Sequence, residues 1–246
     1  MCTVTFIPRQ TGYYLAMNRD EQLSRIAGLA PARRTMAGRT VISPREPGGG
    51  TWIAMNDSGS TVALINWYSA NARVSGHAVS RGEVVDATST GTSPDSVQAL
   101  LAGLPLDRIN PFRLIGIFPG EHGISEWTWD LKNLVQKKHR WKTRQWASSG
   151  FDERSAQRIR NQTFRKAQRQ ISTGTLDWLR RLHRSHSPGE GPFSVCMHRK
   201  DAATVSYTEI AVQSRRMAMH YHAAAPCHKN GFCQQLTLPR RQSRKT

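Results

Sequence analysis

The chain opens on a short alternating pattern. Cys2, Val4 and Phe6 interleave with Thr3, Thr5 and Ile7, then Pro8-Arg9-Gln10-Thr11-Gly12 supplies turn chemistry, and Tyr13 to Met17 is a second apolar run. A period of two flanked by Gly and Pro predicts a β-hairpin. With the turn centred near Gln10, opposed residue numbers sum to about 20 in an antiparallel register, which sets Cys2 near Asn18 with Arg19 and Asp20 beside it. Further on, Pro31 to Pro47 reads as a polar, arginine-rich connection. The run Gly48-Gly49-Gly50 precedes a strand from Thr51, Asn56-Asp57-Ser58-Gly59 is a turn, and Ser60 to Trp67 is a strand carrying Asn66. Ser93-Pro94-Asp95 starts a helix with Val97, Leu100, Leu101 and Leu104 on its apolar face. Phe112–Phe118 and Ile124–Trp129 form another strand pair. Helical spacing returns from Asp152 (Ala156, Ile159, Thr163, Ala167) and again in Leu176, Leu179 and Leu182. Phe193–His198, Ala203–Val212 and Met217–Tyr221 read as strands.

Strands, then helices, then strands, with many hairpins and no repeat, predict an α+β layered protein. One domain over residues 1–238 is expected, followed by a basic disordered tail at 239–246. At 246 residues and 38% hydrophobic content the chain can bury a sizeable core. Apolar runs such as Val62-Ala63-Leu64-Ile65 are far too short to span a bilayer, and the opening lacks the pattern of a signal peptide, so a cytoplasmic protein is expected. Four cysteines in a chain of this length do not make a disulfide scaffold.

The net charge of +18 is the outlying feature of the composition. It gathers in Lys137-Lys138-His139-Arg140, in 154–169, in Arg180-Arg181 and in the tail. A basic surface attracts polyanions whatever its purpose. No zinc-finger spacing, basic zipper, RNP or Gly-x-x-Gly loop accompanies it, so a nucleic-acid role stands on charge alone and no nucleic-acid partner is expected. Trp141 and Trp146 among Lys142, Arg144 and Gln145 fit a strand as well as a base-stacking surface.

Candidate chemistry sits at the front. A cysteine exposed as the N-terminal residue joins a strong nucleophile to an α-amine with a pKa near ~8 that can move protons. Arginine beside it favours the thiolate, a carboxylate holds the ammonium, and an asparagine amide serves a developing oxyanion. Cys2, Arg19, Asp20 and Asn66 are the candidate catalytic set.

Met1-Cys2-Thr3, Asn18-Arg19-Asp20-Glu21, Gly49-Gly50-Thr51-Trp52 and the strand ending in Asn66 together resemble the NRDE protein family, also called the transport and Golgi organisation protein 2 family. Ser148-Ser149-Gly150-Phe151-Asp152, with Arg158, Arg160 and Phe164 after it, and Ser194 to His198 with Thr204 to Tyr207 also resemble it. The resemblance implies an Ntn-hydrolase-like four-layer αββα sandwich. Bile salt hydrolases and penicillin V acylases share that wider fold and a Met-Cys-Thr opening. By that analogy Cys2 attacks an amide carbonyl, Arg19 and Asp20 position it, and Asn66 lies in the oxyanion hole, with Ser148, Ser149 and Arg160 marking a further region.

Three function classes follow: a cysteine amidohydrolase acting on a small non-peptide carboxamide, a non-enzymatic trafficking factor or carrier for haem or an acyl-CoA-like ligand, and a basic nucleic-acid-associated protein. No cofactor and no metal are expected. His220, His222, Cys227, His228 and Cys233 are dense in metal-ligating groups but lack a zinc spacing. Cys196-Met197-His198 invites a Cys–His dyad, although its apolar setting suits a core cysteine.

Overall fold

The computed structural model describes residues 2–241. Two antiparallel sheets lie face to face with helices on both outer sides. The first holds β1 (Cys2–Arg9), β2 (Gly12–Gln22), β10 (Arg144–Ser148), β11 (Ala202–Val212), β12 (Arg216–His222) and β13 (Cys233–Pro239), in the order β10-β1-β2-β11-β12-β13. The second runs in sequence order through β3 (Leu29–Met36), β4 (Arg39–Arg45), β5 (Ile53–Asn56), β6 (Thr61–Asn66), β7 (Phe112–Phe118), β8 (Gly123–Trp129) and β9 (Leu134–His139). Helices α1 (Gly82–Thr88) and α2 (Pro94–Ala102) cover the second sheet, while α3 (Glu153–Ala167) and α4 (Leu176–His183) cover the first.

The alternation read in β1 explains the layering. Cys2, Val4 and Phe6 point between the sheets, where they meet Tyr13, Leu15, Ile53, Ile65, Ile115 and Met219. The outer face of the second sheet packs Val62, Leu64 and Trp127 against Val84, Val85, Val97 and Leu101 of its helices. The outer face of the first packs Ile7, Ala16 and Tyr207 against Phe164, Trp178, Leu179 and Leu182. The result is the expected αββα sandwich. Ser93 caps α2 through a reciprocal box with Ser96, and Pro94 occupies the first turn.

Several local expectations shift. The supposed connection Pro31–Pro47 is largely the hairpin β3–β4, whose stretch Ala32-Arg33-Arg34-Thr35-Met36 lacks the polar–apolar alternation that marks a strand. Segment 193–198 is a loop, because its backbone turns back on Gly191 and Ser185 and meets β11 only at the single bridge of His198 with Ala203. On α3 the buried stripe is Glu153, Ala156, Arg160 and Phe164, not the one through Ile159 and Thr163, because a buried arginine replaces the apolar residue that periodicity seeks. Of the tail expected at 239–246, Pro239 ends β13. Arg240 donates from Nε to the Ser58 carbonyl at 3.1 Å, and Arg241 Nε pairs with Asp57 at 3.2 Å. Residues 242–246 lie outside the described residues. Among the described residues no helix is long and apolar enough to cross a membrane.

Candidate active site

The hairpin register places Cys2 opposite Arg19, a sum of 21 rather than 20, and on its other side opposite Ser148 of β10. The Cys2 amide donates to Ser148 Oγ at 3.2 Å. Cys2, Arg19, Asp20 and Asn66 all line one cleft of about 350 Å³, at the end of the sandwich where β1, β2 and β6 terminate. Its other walls include Glu21, Glu46, Thr51, Trp52, Ser80, Arg81 and Asn110. Two other hollows, of about 390 and 800 Å³, lie elsewhere. This cleft alone among the three joins Cys2 to arginine and asparagine side chains.

Arg19 and Asp20 are adjacent in a strand and so diverge. Arg19 stays on the Cys2 side, its guanidinium 4.5 Å from the Trp52 ring and bridged to Glu21 at 3.2 Å and to Glu46. Arg25 closes the cluster by reaching both carboxylates, at 3.2 and 3.1 Å. Two arginines facing two glutamates leave little net charge, so Arg19 is anchored more than it is available as a lone cation. Burial pushes the Cys2 thiol up from its ordinary value; Asp20 adds to that, and Arg19 opposes it. The resting group is a thiol, and attack by it requires a base.

Asp20 reaches toward the helical layer. Its Oδ1 accepts from Thr204 Oγ1 at 2.7 Å and its Oδ2 from Arg160 Nη2 at 3.2 Å. Arg160, wholly buried, also donates to Thr3 Oγ1 at 2.8 Å and toward the Ser148 carbonyl at 3.4 Å. Arg160 therefore ties α3 to β1, β2 and β10 from behind and does not line the cleft. Ser148 meets the Cys2 backbone, and Ser149 Oγ accepts from the Phe151 amide at 3.3 Å in the next turn. Asn66 ends β6 with its Nδ2 donating to Tyr68 at 2.8 Å.

Sequence reasoning missed Arg81, which sits just before α1 and faces both Cys2 and Glu21. It donates to the Pro111 carbonyl at 3.3 Å, and burial lowers its pKa. Among the described residues no carboxylate comes within ion-pair distance of it. A lone arginine in Ser80-Arg81-Gly82 carries no sequence signal; only the return of the chain to β5 brings it to the cleft. That return depends on Gly50, which has φ +76° and where a Cβ would stand only 2.8 Å from the Gly82 backbone.

His220, His222, Cys227, His228 and Cys233 line one hollow of about 390 Å³. His220 and His222 lie on β12, and Cys233 is exposed at the start of β13. Cys227, on the same wall, has its sulfur against Cys196 and His198, whose Sγ and Nε2 are 3.6 Å apart.

Two sheets flanked by helices, with a cysteine at the first strand's start facing a cleft, define an Ntn-hydrolase-like sandwich. Solved structures agree on that fold. A penicillin V acylase from Agrobacterium tumefaciens aligns with a TM-score of 0.52 at 11% identity, over 91% of this chain and 83% of its own. Two altered forms of the conjugated bile acid hydrolase from Clostridium perfringens align with TM-scores of 0.51 and 0.52 at 9% identity, covering 95% and 97% of this chain and 92% and 97% of theirs. The family model described as "Transport and Golgi organisation 2" matches residues 1–182, and the chain belongs to that family. No curated protein matches it.

Proposed function

We propose that the protein is an N-terminal-cysteine amidohydrolase acting on a small, non-peptide carboxamide. The observation that carries this reading is the meeting of Cys2 with Arg19, Asp20 and Asn66 in one cleft. Two structural neighbours with a sandwich of the same kind are named an acylase and a hydrolase, an analogy of fold that supports the reading.

With Met1 removed, the free α-amine of Cys2 accepts the thiol proton as Sγ attacks the amide carbon. A carbon–sulfur bond forms, the carbonyl oxygen gains the negative charge, and Asn66 Nδ2 swings from Tyr68 to donate to it. Collapse of the tetrahedral species breaks the carbon–nitrogen bond, and the ammonium returns its proton to the leaving amine. Water then cleaves the thioester and regenerates the thiol. Asp20, fixed by Arg160 and Thr204, holds the strand end in register. Arg81 supplies positive charge on the wall facing Cys2, which suits a substrate with a carboxylate or another anionic group.

Intact-mass analysis and labelling with an electrophilic lactam test the reading together. Loss of Met1 and stoichiometric labelling that Cys2→Ala abolishes are expected. A retained Met1 with an unlabelled Cys2 refutes the hydrolase and leaves the carrier for a haem-like or acyl-CoA-like ligand, which direct titration with either compound measures.

A further inference from the structure

The strongest constellation outside the cleft lies in the part of the chain beyond residue 182, where the family model ends. His186, Cys196 and His198 belong to the connection between α4 and β11, and Cys227 to the connection between β12 and β13. One ligand atom from each falls within 4.8 Å of the other three. Cys196 Sγ and Cys227 Sγ are 3.5 Å apart, and His198 Nε2 lies 3.6 Å from the first and 3.4 Å from the second. Tetrahedral zinc with bonds of about 2.3 Å to sulfur and about 2.05 Å to nitrogen requires edges of about 3.8 Å between sulfurs and about 3.6 Å between sulfur and nitrogen. Three of the four ligands thus already stand at the edges of that tetrahedron.

The fourth makes a separate argument. His186 Nε2 is buried and has no hydrogen-bond partner, while its other nitrogen, Nδ1, faces Glu190 at 3.8 Å. A ligating histidine characteristically turns one nitrogen to the metal and the other to a carboxylate or carbonyl. A buried imidazole nitrogen with no partner is costly unless something completes it. The His186 and His198 rings meet edge to face with centroids 5.1 Å apart, and with all four ligand atoms within 4.8 Å of one another a shift of about 1 Å closes the set to edges of about 3.6 Å.

We propose that His186, Cys196, His198 and Cys227 bind one zinc ion in a closed, structural site. Two thiolates and two imidazoles are the donor set of structural zinc, and four protein ligands leave no open position for a substrate. Binding displaces one proton from each thiol, so the neutral Cys2His2 set becomes a neutral zinc complex and two protons enter solution. The ion would cross-link the two long connections. It also stands behind the candidate cleft, because the Met197 amide donates to Thr204 Oγ1 at 2.9 Å and Thr204 Oγ1 in turn donates to Asp20 at 2.7 Å. The spacing His-x9-Cys-x-His-x28-Cys matches no familiar pattern, so proximity in space carries the inference.

The test is elemental analysis of the full-length protein after dialysis against metal-free buffer, with cobalt substitution as a second readout. About one zinc per chain is expected. The cobalt form should show the ligand-field and thiolate charge-transfer bands of a tetrahedral two-thiolate centre. Cys227→Ser and His186→Gln should each abolish tight zinc binding and alter the cobalt spectrum, while Cys233→Ser, at an exposed cysteine outside the cluster, should leave both unchanged. Should either ligand variant fail to fold, the wild-type stoichiometry and cobalt spectrum still decide. No zinc in wild-type protein offered excess zinc, a cobalt spectrum without thiolate bands, retention of zinc by folded Cys227→Ser, or a Cys196–Cys227 disulfide in the freshly alkylated protein each overturns the proposal.

Discussion

Replacing Arg160 by methionine removes a buried guanidinium and leaves its neighbours in place, which isolates what that charge does. The side chains of Arg160 and Asp20 are both wholly buried and 3.2 Å apart. At an effective dielectric constant near 20, that separation gives a Coulomb attraction of about 5 kcal/mol. Desolvation offsets much of it while both partners are present, but removing one alone strands the other's desolvation cost, typically about 3–5 kcal/mol. Arg160→Met also frees Thr3 Oγ1 from its donor. For a chain of this size each kcal/mol moves the melting temperature by roughly 2–4 °C, so a fall on the order of 10 °C is expected. The assay is calorimetric or chemical unfolding of wild type, Arg160→Met, Asp20→Asn and the double variant. The two single losses should exceed the double loss, with a coupling energy of about 1–3 kcal/mol. Additive losses, or an Arg160→Met cost below about 1 kcal/mol, would refute the reasoning and reduce the pair to a bystander.

Three further outcomes are expected. His183 is buried, its Nδ1 donating to Asn18 and its Nε2 accepting from Thr5, and burial, aided by the charge of Arg160, lowers its pKa to about 3. The unfolded chain binds that proton near pH 6.5, so the histidine's contribution is fully present above pH 6.5 and declines by about 1.4 kcal/mol per pH unit as pH falls toward 3. His183→Gln should flatten that part of a stability–pH curve, and an unchanged slope would exclude His183 as its source. Gly50→Ala forces a Cβ into the Gly82 backbone at positive φ and should cost about 1–3 kcal/mol while weakening any cleft ligand; a neutral stability would show that the turn can shift. Once a carboxylate-bearing substrate is found, Arg81→Gln should raise KM about 10-fold or more with little change in kcat, and an equal effect on a neutral analogue would remove Arg81 from recognition.

How much of this was legible in the chain varies with the range of the interaction. The β1–β2 register came within one residue, because a short turn between two alternating runs fixes pairing locally. The α2 start was equally plain, since Ser93 and Pro94 act on backbone groups one turn away. The direction of Asp20 was not. A charged residue in a strand reads as a partner of whatever lies near in sequence, whereas Arg160 and Thr204, 140 and 184 residues on, draw its carboxylate to the helical layer. Cys227 shows the same limit, since five candidate ligands crowd residues 220–233 but the close contacts of its sulfur come from 196 and 198. Strand β9 was hidden because its basic residues, Lys137 to His139, suggested a surface charge run rather than an edge strand that uses lysine to discourage further pairing.

The sheet order also sets a schedule. β1 is held between β2 and β10, and β2 in turn lies against β11, so the first residues made must wait for partners as late as Val212. At ribosomal speeds of roughly 5–20 residues per second, that delay is on the order of 10–40 s. During it the Cys2 amide, later closed against Ser148, is open to aminopeptidases that trim nascent chains. Once β10 and β11 arrive, Cys2 is paired on both sides, with Ser148 and with Arg19. On the function proposed above, the removal of Met1 would belong to synthesis, ahead of the fold that uses Cys2.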